Sequence, residues 1–500
     1  MAFSSFYFYH ENKQLNTMLL LDRATELLLE NRLREAEFMF KQVLKQNPKN
    51  GKALFGLGRI CMRLEQYDNA IYYLKRACEH LPKMLDPLYA LADAFIAVGS
   101  PVDAKTVLEY ALSVARHNAQ IHYHLGQFYL DHGFIDNAYQ VFQKGLDCPS
   151  SGVSIFIIFE LMQLAPTNEI PLLMEKLTEF EGKYEHPKFK IIAYHAFATA
   201  HQALGEYKEA FEFYEKANKL QFEQCEFKTA DMVPFFNRLL ETCNSDFFDK
   251  PIDKVKSTFT PVFIIGLPRT GSTLLEQILT QHSQVGSIGE SIIISDKIVP
   301  YLEMRTERDF PECIYETSTS MLDYCRSVYV DEVKKNRVQE EAVINKLPAN
   351  FQNIGLIYKI FPNARFIHLT RDFKANAWSV YSNHFAENEP YFCSLTEFQL
   401  YADIEQQVMD HFSSHLKKSI FNVSYETLID DPERTIQKLL NFIYLKYEPE
   451  CMDFYKSRSK VSTLSKTQVR QPIHNRSLTR WQAFETYIEK ELGQLTPKKN

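Results

Sequence analysis

Four alanines set a period in the first half of this chain. Ala36, Ala70, Ala104 and Ala138 follow one another at intervals of 34 residues, and the positions around them repeat with the same offsets. Leu57-Gly58, Leu91-Ala92 and Leu125-Gly126 place a large and then a small residue at one point of each cycle. Cys61, Phe95 and Tyr129 follow those leucines by four, and Phe40, Leu74, Leu108 and Phe142 follow the alanines by four. A spacing of four puts both members of a pair on one helical face. One cycle is long enough for two helices and a turn, yet too short to bury its own apolar face, so successive cycles must stack. Small residues let paired helices approach, and large ones fill the groove between units. The aromatics are therefore expected in the core, not as ligand groups. Pro48 and Pro82 each close a unit, because proline cannot continue a helix.

A 34-residue cycle of this kind resembles the tetratricopeptide repeat, which implies an α-helical solenoid. A fifth unit is expected around Ala210, with Tyr214 and Ala217 in place. Between the fourth and fifth, residues 151–190 lose the phase and read as irregular helix. The period ends near residue 220, and the polar stretch 244–260 reads as a linker. Three regions follow: a helical repeat domain over 1–245, a linker over 246–260, and a second domain over 261–500. Five hundred residues are too many for one ordinary domain.

The second domain opens on the segment PVFIIGLPRTGSTLLEQILTQHSQVGSIGE, Pro261 to Glu290. Val262–Ile265 is a short β-branched and aromatic run, the turn runs from Gly266 to Thr273, and an apolar-periodic helix begins at Leu274. Strand, glycine-bounded loop and helix make a phosphate cradle, where loop N–H groups and the positive helix end face an anion. The glycine spacing is that of a Walker A loop, but Ser272 stands where its lysine belongs. Arg269 supplies a cation from within the loop instead. Further on, Arg365–Thr370 and Asn422–Tyr425 read as strands, and Asp372–His384 and Pro432–Ile443 as helices. Strands alternating with helices imply an α/β layer around a parallel sheet.

Composition narrows the function. A net charge of −7 without a long basic run argues against nucleic-acid binding. No apolar stretch reaches the ~18 residues of a membrane span. The apolar run from Met18 to Leu21 stops at Asp22 and is too short for a signal-peptide core. Nine cysteines lie scattered from Cys61 to Cys451 without CxxC pairs, which argues against a disulfide framework or zinc cluster and for a reduced, cytoplasmic protein.

Four more clusters fit the loop's chemistry. Gly289-Glu290 returns about twenty residues after the loop. Asn345-Lys346-Leu347-Pro348 offers a lysine. Arg371, at the C-terminal end of a strand, has Ser379 two helical turns beyond it, which suits a second phosphate at the edge where open α/β sheets bind ligands. The last runs from Ser465 through Gln468 and Pro472 to Arg480-Trp481.

Together these segments resemble the sulfotransferases that use 3′-phosphoadenosine 5′-phosphosulfate (PAPS), and within them the protein-tyrosine sulfotransferases. GLPRTGSTL at 266–274 is similar to their 5′-phosphosulfate loop, and RDFKANAWS at 371–379 to their 3′-phosphate motif. The resemblance implies that Arg269, Thr270, Gly271, Ser272 and Thr273 hold the phosphosulfate. Glu290 is implied as the general base, and Lys346 as the cation at the bridging oxygen. Arg371 and Ser379 become 3′-phosphate ligands, with Arg480 as a basic residue nearby. Tyr425 is placed near the adenine and Ser465 against the phosphosulfate. No metal is implied, since side-chain cations do the neutralising.

Two departures stand out. Where the tyrosine sulfotransferases follow the base with Glu-Thr-Arg, this chain has Ser291-Ile292-Ile293, which weakens the match to an acidic tyrosine peptide. Ile288 and Ile344 replace a cysteine pair of the lumenal relatives. His368, inside a strand, is expected as a satisfied core histidine, and Trp481 as a packing anchor. The sequence thus points to an α-helical repeat solenoid followed by a P-loop-like α/β sulfotransferase domain. It would move a sulfuryl group from PAPS to an acceptor hydroxyl, a protein tyrosine among the open choices. The repeats would recruit a peptide or protein, or mediate homo-oligomerisation. Two other readings stand beside this one: a repeat scaffold with a non-catalytic nucleotide-binding domain, and an NTP-dependent P-loop kinase.

Overall fold

The computed structural model describes residues 17–149, 151–180, 182–183, 185–249, 258–457, 461, 463, 466 and 468–492. In the repeats the chain forms α1 (Leu33–Gln46), α2 (Gly51–Arg63), α3 (Tyr67–His80), α4 (Asp86–Ala97), α5 (Pro101–Val114), α6 (Ala119–Asp131) and α7 (Ile135–Leu146). The four period-setting alanines are fully buried. Cys61, Phe95 and Tyr129 are buried as well, so the aromatics at these positions are core. Pro48 lies just past α1 and Pro82 just past α3. Within 151–190, out of phase with the repeats, the described residues form helices at Gly152–Leu164 and Ile170–Thr178.

The small positions earn their size by contact. A Cβ on Gly126 would lie 2.3 Å from the ring of Phe142, which is itself fully buried. Alanine there gains helix propensity of about 1 kcal/mol but overpacks the groove by about 1–3 kcal/mol. Gly126→Ala is therefore expected to destabilise the repeats by up to about 2 kcal/mol, seen as a lower urea midpoint in far-UV circular dichroism.

By packing, the chain falls into two compact units. One runs to Leu130 and resumes over Phe134–Ile157; the other takes Asp131–Gly133 and everything from Ile158. The helices α8 (Pro187–Leu204) and α9 (Tyr207–Phe222) carry the fifth repeat pattern, with Ala210, Tyr214 and Ala217 buried. They belong to the second unit, where Ala198, Phe211 and Tyr214 share a cluster with Trp378, Tyr381, Phe398 and Phe484. The polar stretch after residue 244 starts as a short helix, Ser245–Asp249, whose Phe247 is buried; residues 250–257 lie outside the described residues.

The sheet of the second unit is built from β1 (Thr260–Gly266), β2 (Val285–Ser287), β3 (Ala342–Lys346), β4 (Arg365–Thr370) and β5 (Ile420–Ser424), in the order β2-β3-β1-β4-β5. All four pairings are parallel. Strand alternation sends Phe263, Ile265 and Val343 into one core and Val262, Ile264 and Ile344 into the other, as a sheet covered on both faces requires. Between the strands run α10 (Ser272–Leu279), α11 (Thr319–Lys335), α12 (Ile354–Ile360), α13 (Phe373–Tyr381) and α14 (Leu395–His415), and α15 (Pro432–Phe442) follows β5. The chain leaves β1 toward β2 on one side and leaves the neighbouring β4 toward β5 on the other. The strand order thus reverses between β1 and β4, and the crevice at their C-terminal ends is where such sheets hold ligands.

Candidate active site

The loop that follows β1 is shaped by two glycines. Gly266 has φ +135°, and a Cβ on it would sit 2.5 Å from the Leu369 carbonyl of β4. Gly271 has φ +98° and precedes α10; a Cβ there would strike the Tyr425 ring at 2.5 Å. Only glycine fits either place. Between them Arg269 also takes a positive φ, +65°. Thr270 is buried and its hydroxyl donates back to the Leu267 carbonyl at 2.9 Å, so that hydroxyl is turned inward. Ser272 and Thr273 begin α10, where unpaired helix N–H groups collect. Thr273 meets Thr463 through their hydroxyls at 3.2 Å. Ser465, two residues further on, lies outside the described residues.

Cations gather on the β4 side. Arg269 Nε donates to Ser379 Oγ at 3.2 Å, which joins the loop to α13. Arg371 donates from one guanidinium nitrogen to the Arg269 carbonyl at 3.0 Å and from the other to the Ser477 carbonyl. Its guanidinium lies over the Tyr425 ring, 4.9 Å from the centroid, and the Tyr425 hydroxyl pairs with Ser477 Oγ at 2.7 Å. Burial, then the charges of Arg371 and Arg480, push the Arg269 guanidinium down to about 10. Burial also holds Arg371 below the ordinary arginine value, with Arg480 pushing the same way. Arg480 itself is exposed. Arg371 keeps one buried donor, Nε, with no partner. Desolvated cations beside an orphaned donor fit an anionic ligand with more than one charged group.

A second cluster lies on the β3 side. Lys346 ends β3 with a side chain only 1% exposed, while the Glu290 side chain it pairs with is 51% exposed. A buried ammonium therefore meets a carboxylate that faces solvent. The turn bearing Glu290 is fixed on both flanks. Lys346 N–H donates to the Gly289 carbonyl at 2.9 Å, and Asn345 Nδ2 donates to the Ser291 carbonyl at 3.1 Å. The Asn345-Lys346 pair thus works through both side chains.

The sequence reading missed Glu276 and Ser287. Glu276, on α10, lies 3.8 Å from Lys346 Nζ and accepts from Ser287 Oγ at 2.6 Å. Its signal was present: a carboxylate, with Gln277 beside it, set among Leu274, Leu275, Ile278 and Leu279 on a helix that turns one face to the sheet. His368 is a satisfied core residue, bonded to Asn422 at 2.9 Å and Glu405 at 2.8 Å. Burial works against its charged form, but Glu405, Asn422 and Asp410 together outweigh burial and hold its pKa above the ordinary value. Trp481 anchors locally, donating to the Leu478 carbonyl at 3.0 Å. Among the described residues there is no group of three or more His, Cys, Asp or Glu placed to hold a metal ion, and no helix long and apolar enough to cross a membrane.

The model of the sulfotransferase family matches residues 261–449, and tetratricopeptide-repeat models match 21–84, 89–152 and 191–224. An uncharacterized protein of Aquifex aeolicus is 30% identical over 292 residues, 57% of this chain and 38% of that protein. A putative protein-tyrosine sulfotransferase of Caenorhabditis briggsae is 24% identical over 250 residues, 47% of this chain and 84% of that one. Protein-tyrosine sulfotransferase 1 of Danio rerio is 25% identical over 235 residues, 44% of this chain and 65% of that one. This chain thus spans well under half the length of the Aquifex relative and about two thirds of the fish enzyme. Its glycine loop, Arg371 and the lysine–carboxylate pair fall within 261–449, while Ser477 and Arg480 lie beyond that range; the chain joins tetratricopeptide repeats to a domain that matches the sulfotransferase family model.

Proposed function

We propose that this chain transfers a sulfuryl group from PAPS to an acceptor hydroxyl, leaving adenosine 3′,5′-bisphosphate. The observation that carries the reading is the Lys346–Glu290 pair, a buried cation and a solvent-facing carboxylate beside the loop after β1. PAPS would supply an activated sulfuryl group bonded to a 5′-phosphate. Arg269, the N–H groups of Thr270 and Gly271, Ser272 and Thr273 would hold that phosphosulfate, and Ser465 would join them from the tail. Arg371, Ser379 and Arg480 would take the 3′-phosphate. Tyr425 would border the adenine while its ring supports Arg371. Glu290 would take the acceptor proton, and Lys346 would stabilise charge on the oxygen that departs. Transfer of this kind is an in-line displacement governed by positioning and electrostatics, as phosphoryl transfer is.

The acceptor is the finer question. The tyrosine sulfotransferases among the relatives bring a protein tyrosine forward, with carbohydrate, lipid and small alcohols as competitors. Tetratricopeptide repeats are protein-interaction modules, so we assign them the recruitment of a peptide or protein that bears the acceptor. All nine cysteines are free thiols, which supports a reducing, cytoplasmic setting.

Thermal shift separates this reading from an NTP-dependent kinase. Adenosine 3′,5′-bisphosphate is expected to raise the melting temperature strongly and ATP weakly, because ATP lacks the 3′-phosphate that Arg371 would otherwise leave unmet. Equal stabilisation by ATP would remove the PAPS assignment. Labelled PAPS in a lysate of the source cells would reveal the acceptor class, and a nucleotide-binding scaffold would label nothing.

A further inference from the structure

We propose that Glu276 is a positioning residue of this site, a buried carboxylate that holds Lys346 and the Gly289-Glu290 turn in one arrangement. Its catalytic consequence rests on the sulfotransfer reading; its structural part rests on packing alone. Glu276 lies one turn into α10, the helix that follows the glycine loop. Its side chain is 10% exposed and that of Lys346 is 1% exposed. Buried charges at this depth persist only when paired and hydrogen-bonded.

Glu276 reaches Glu290 by two routes. The first is the Lys346 ammonium, which Glu276 approaches at 3.8 Å while Glu290 holds it directly. The second is the turn itself. Ser287 Oγ donates to Glu276 at 2.6 Å and accepts the Gly289 N–H at 2.9 Å, so the backbone just before Glu290 hangs from the same carboxylate. The charged groups facing Glu276 are Lys346 from β3 and Glu290 from the turn after β2. Glu332 of α11 meets the next residue, Ser291, at 3.5 Å. Burial pushes the Glu276 carboxyl above the usual range against the pull of Lys346, and the Glu290 charge adds to the push.

The two carboxylates therefore divide the work. Glu290 faces solvent and changes charge when it takes the acceptor proton. Glu276 is sealed in and remains the counter-charge of Lys346 throughout, so the ammonium stays aimed at the site when its other partner is neutralised. One residue on the loop's own helix thus sets both the base and the cation.

Two measurements on the full chain test this. With ¹³C-labelled glutamate carboxyls, and Glu276→Gln to assign the signal, Glu276 is expected to titrate above the ordinary carboxylate range. In Glu290→Gln its midpoint should fall, because a like charge has gone. An unmoved midpoint overturns the coupling. In single-turnover transfer, Glu276→Gln should slow the rate by about ten- to a hundredfold, the scale of a small misplacement, with adenosine 3′,5′-bisphosphate affinity within about threefold of wild type. Glu276→Asp keeps the charge and should recover part of the rate. A wild-type rate, or parallel loss of rate and nucleotide binding, overturns the positioning role. Should Glu276→Gln fail to fold, Ser287→Ala cuts the link to the turn with both charges left in place, and a rate unchanged from wild type overturns the role equally. If the wild-type chain transfers no sulfuryl group at all, the functional reading falls, while the titration still decides the coupling.

Discussion

Glu290→Gln is expected to lower turnover by about 10²–10⁴-fold, the scale of a lost general base, with nucleotide affinity nearly unchanged. The glutamine keeps the shape of the side chain and removes its proton acceptor. Glu290 is the half-exposed member of the pair with Lys346. Its loss leaves Lys346 with Glu276 as the remaining counter-charge, so the buried ammonium is not stranded. Single-turnover transfer from labelled PAPS reads the rate, and calorimetry with adenosine 3′,5′-bisphosphate reads the affinity. A Glu290→Gln protein that turns over like wild type would remove the base from this scheme.

Arg371→Ala should act first on the nucleotide. It deletes a charge-assisted contact to phosphate, a loss of about 1.5–3 kcal/mol. At ~1.4 kcal/mol per factor of ten, that is roughly a 10- to 150-fold weaker dissociation constant. The structure adds a second cost. Arg371 also ties the Arg269 carbonyl to the Ser477 carbonyl, so its removal loosens the loop and the tail together. Turnover is therefore expected to fall as well, through a cofactor held less firmly in line. Calorimetry on the variant checks the affinity, and a thermal melt without nucleotide separates loss of contact from loss of fold. Unchanged affinity would remove the 3′-phosphate site.

Much of this molecule could be read from residues close together in the chain. The 34-residue cycle needs only helical offsets of four and a small residue at each close approach, so Ala36, Ala70, Ala104 and Ala138 announce the solenoid before any contact is known. Val262–Ile265, Arg365–Thr370 and Asn422–Tyr425 each carry enough β-branched or aromatic residues to mark β1, β4 and most of β5. The loop's two glycines signal its backbone, and Arg269, Glu290, Lys346 and Arg371 stand in segments whose order already resembles a family. These features are local, or repeat locally, and are visible one window at a time.

The sequence alone therefore determined the repeat, the α/β alternation and the residue types the site would use. Tertiary structure decided what those residues meet. The fifth repeat hairpin reads like its predecessors, yet Phe211 and Tyr214 pack with Trp378 and Phe484, because an apolar face does not specify which partner will cover it. The strand order β2-β3-β1-β4-β5 put the reversal between β1 and β4 and so brought Arg269 to Arg371. Glu276 looked like one more helix residue until the sheet carried Lys346 beneath it. Each of these facts joins segments far apart in the chain, and only the closing of the sheet and its two cores sets such distances.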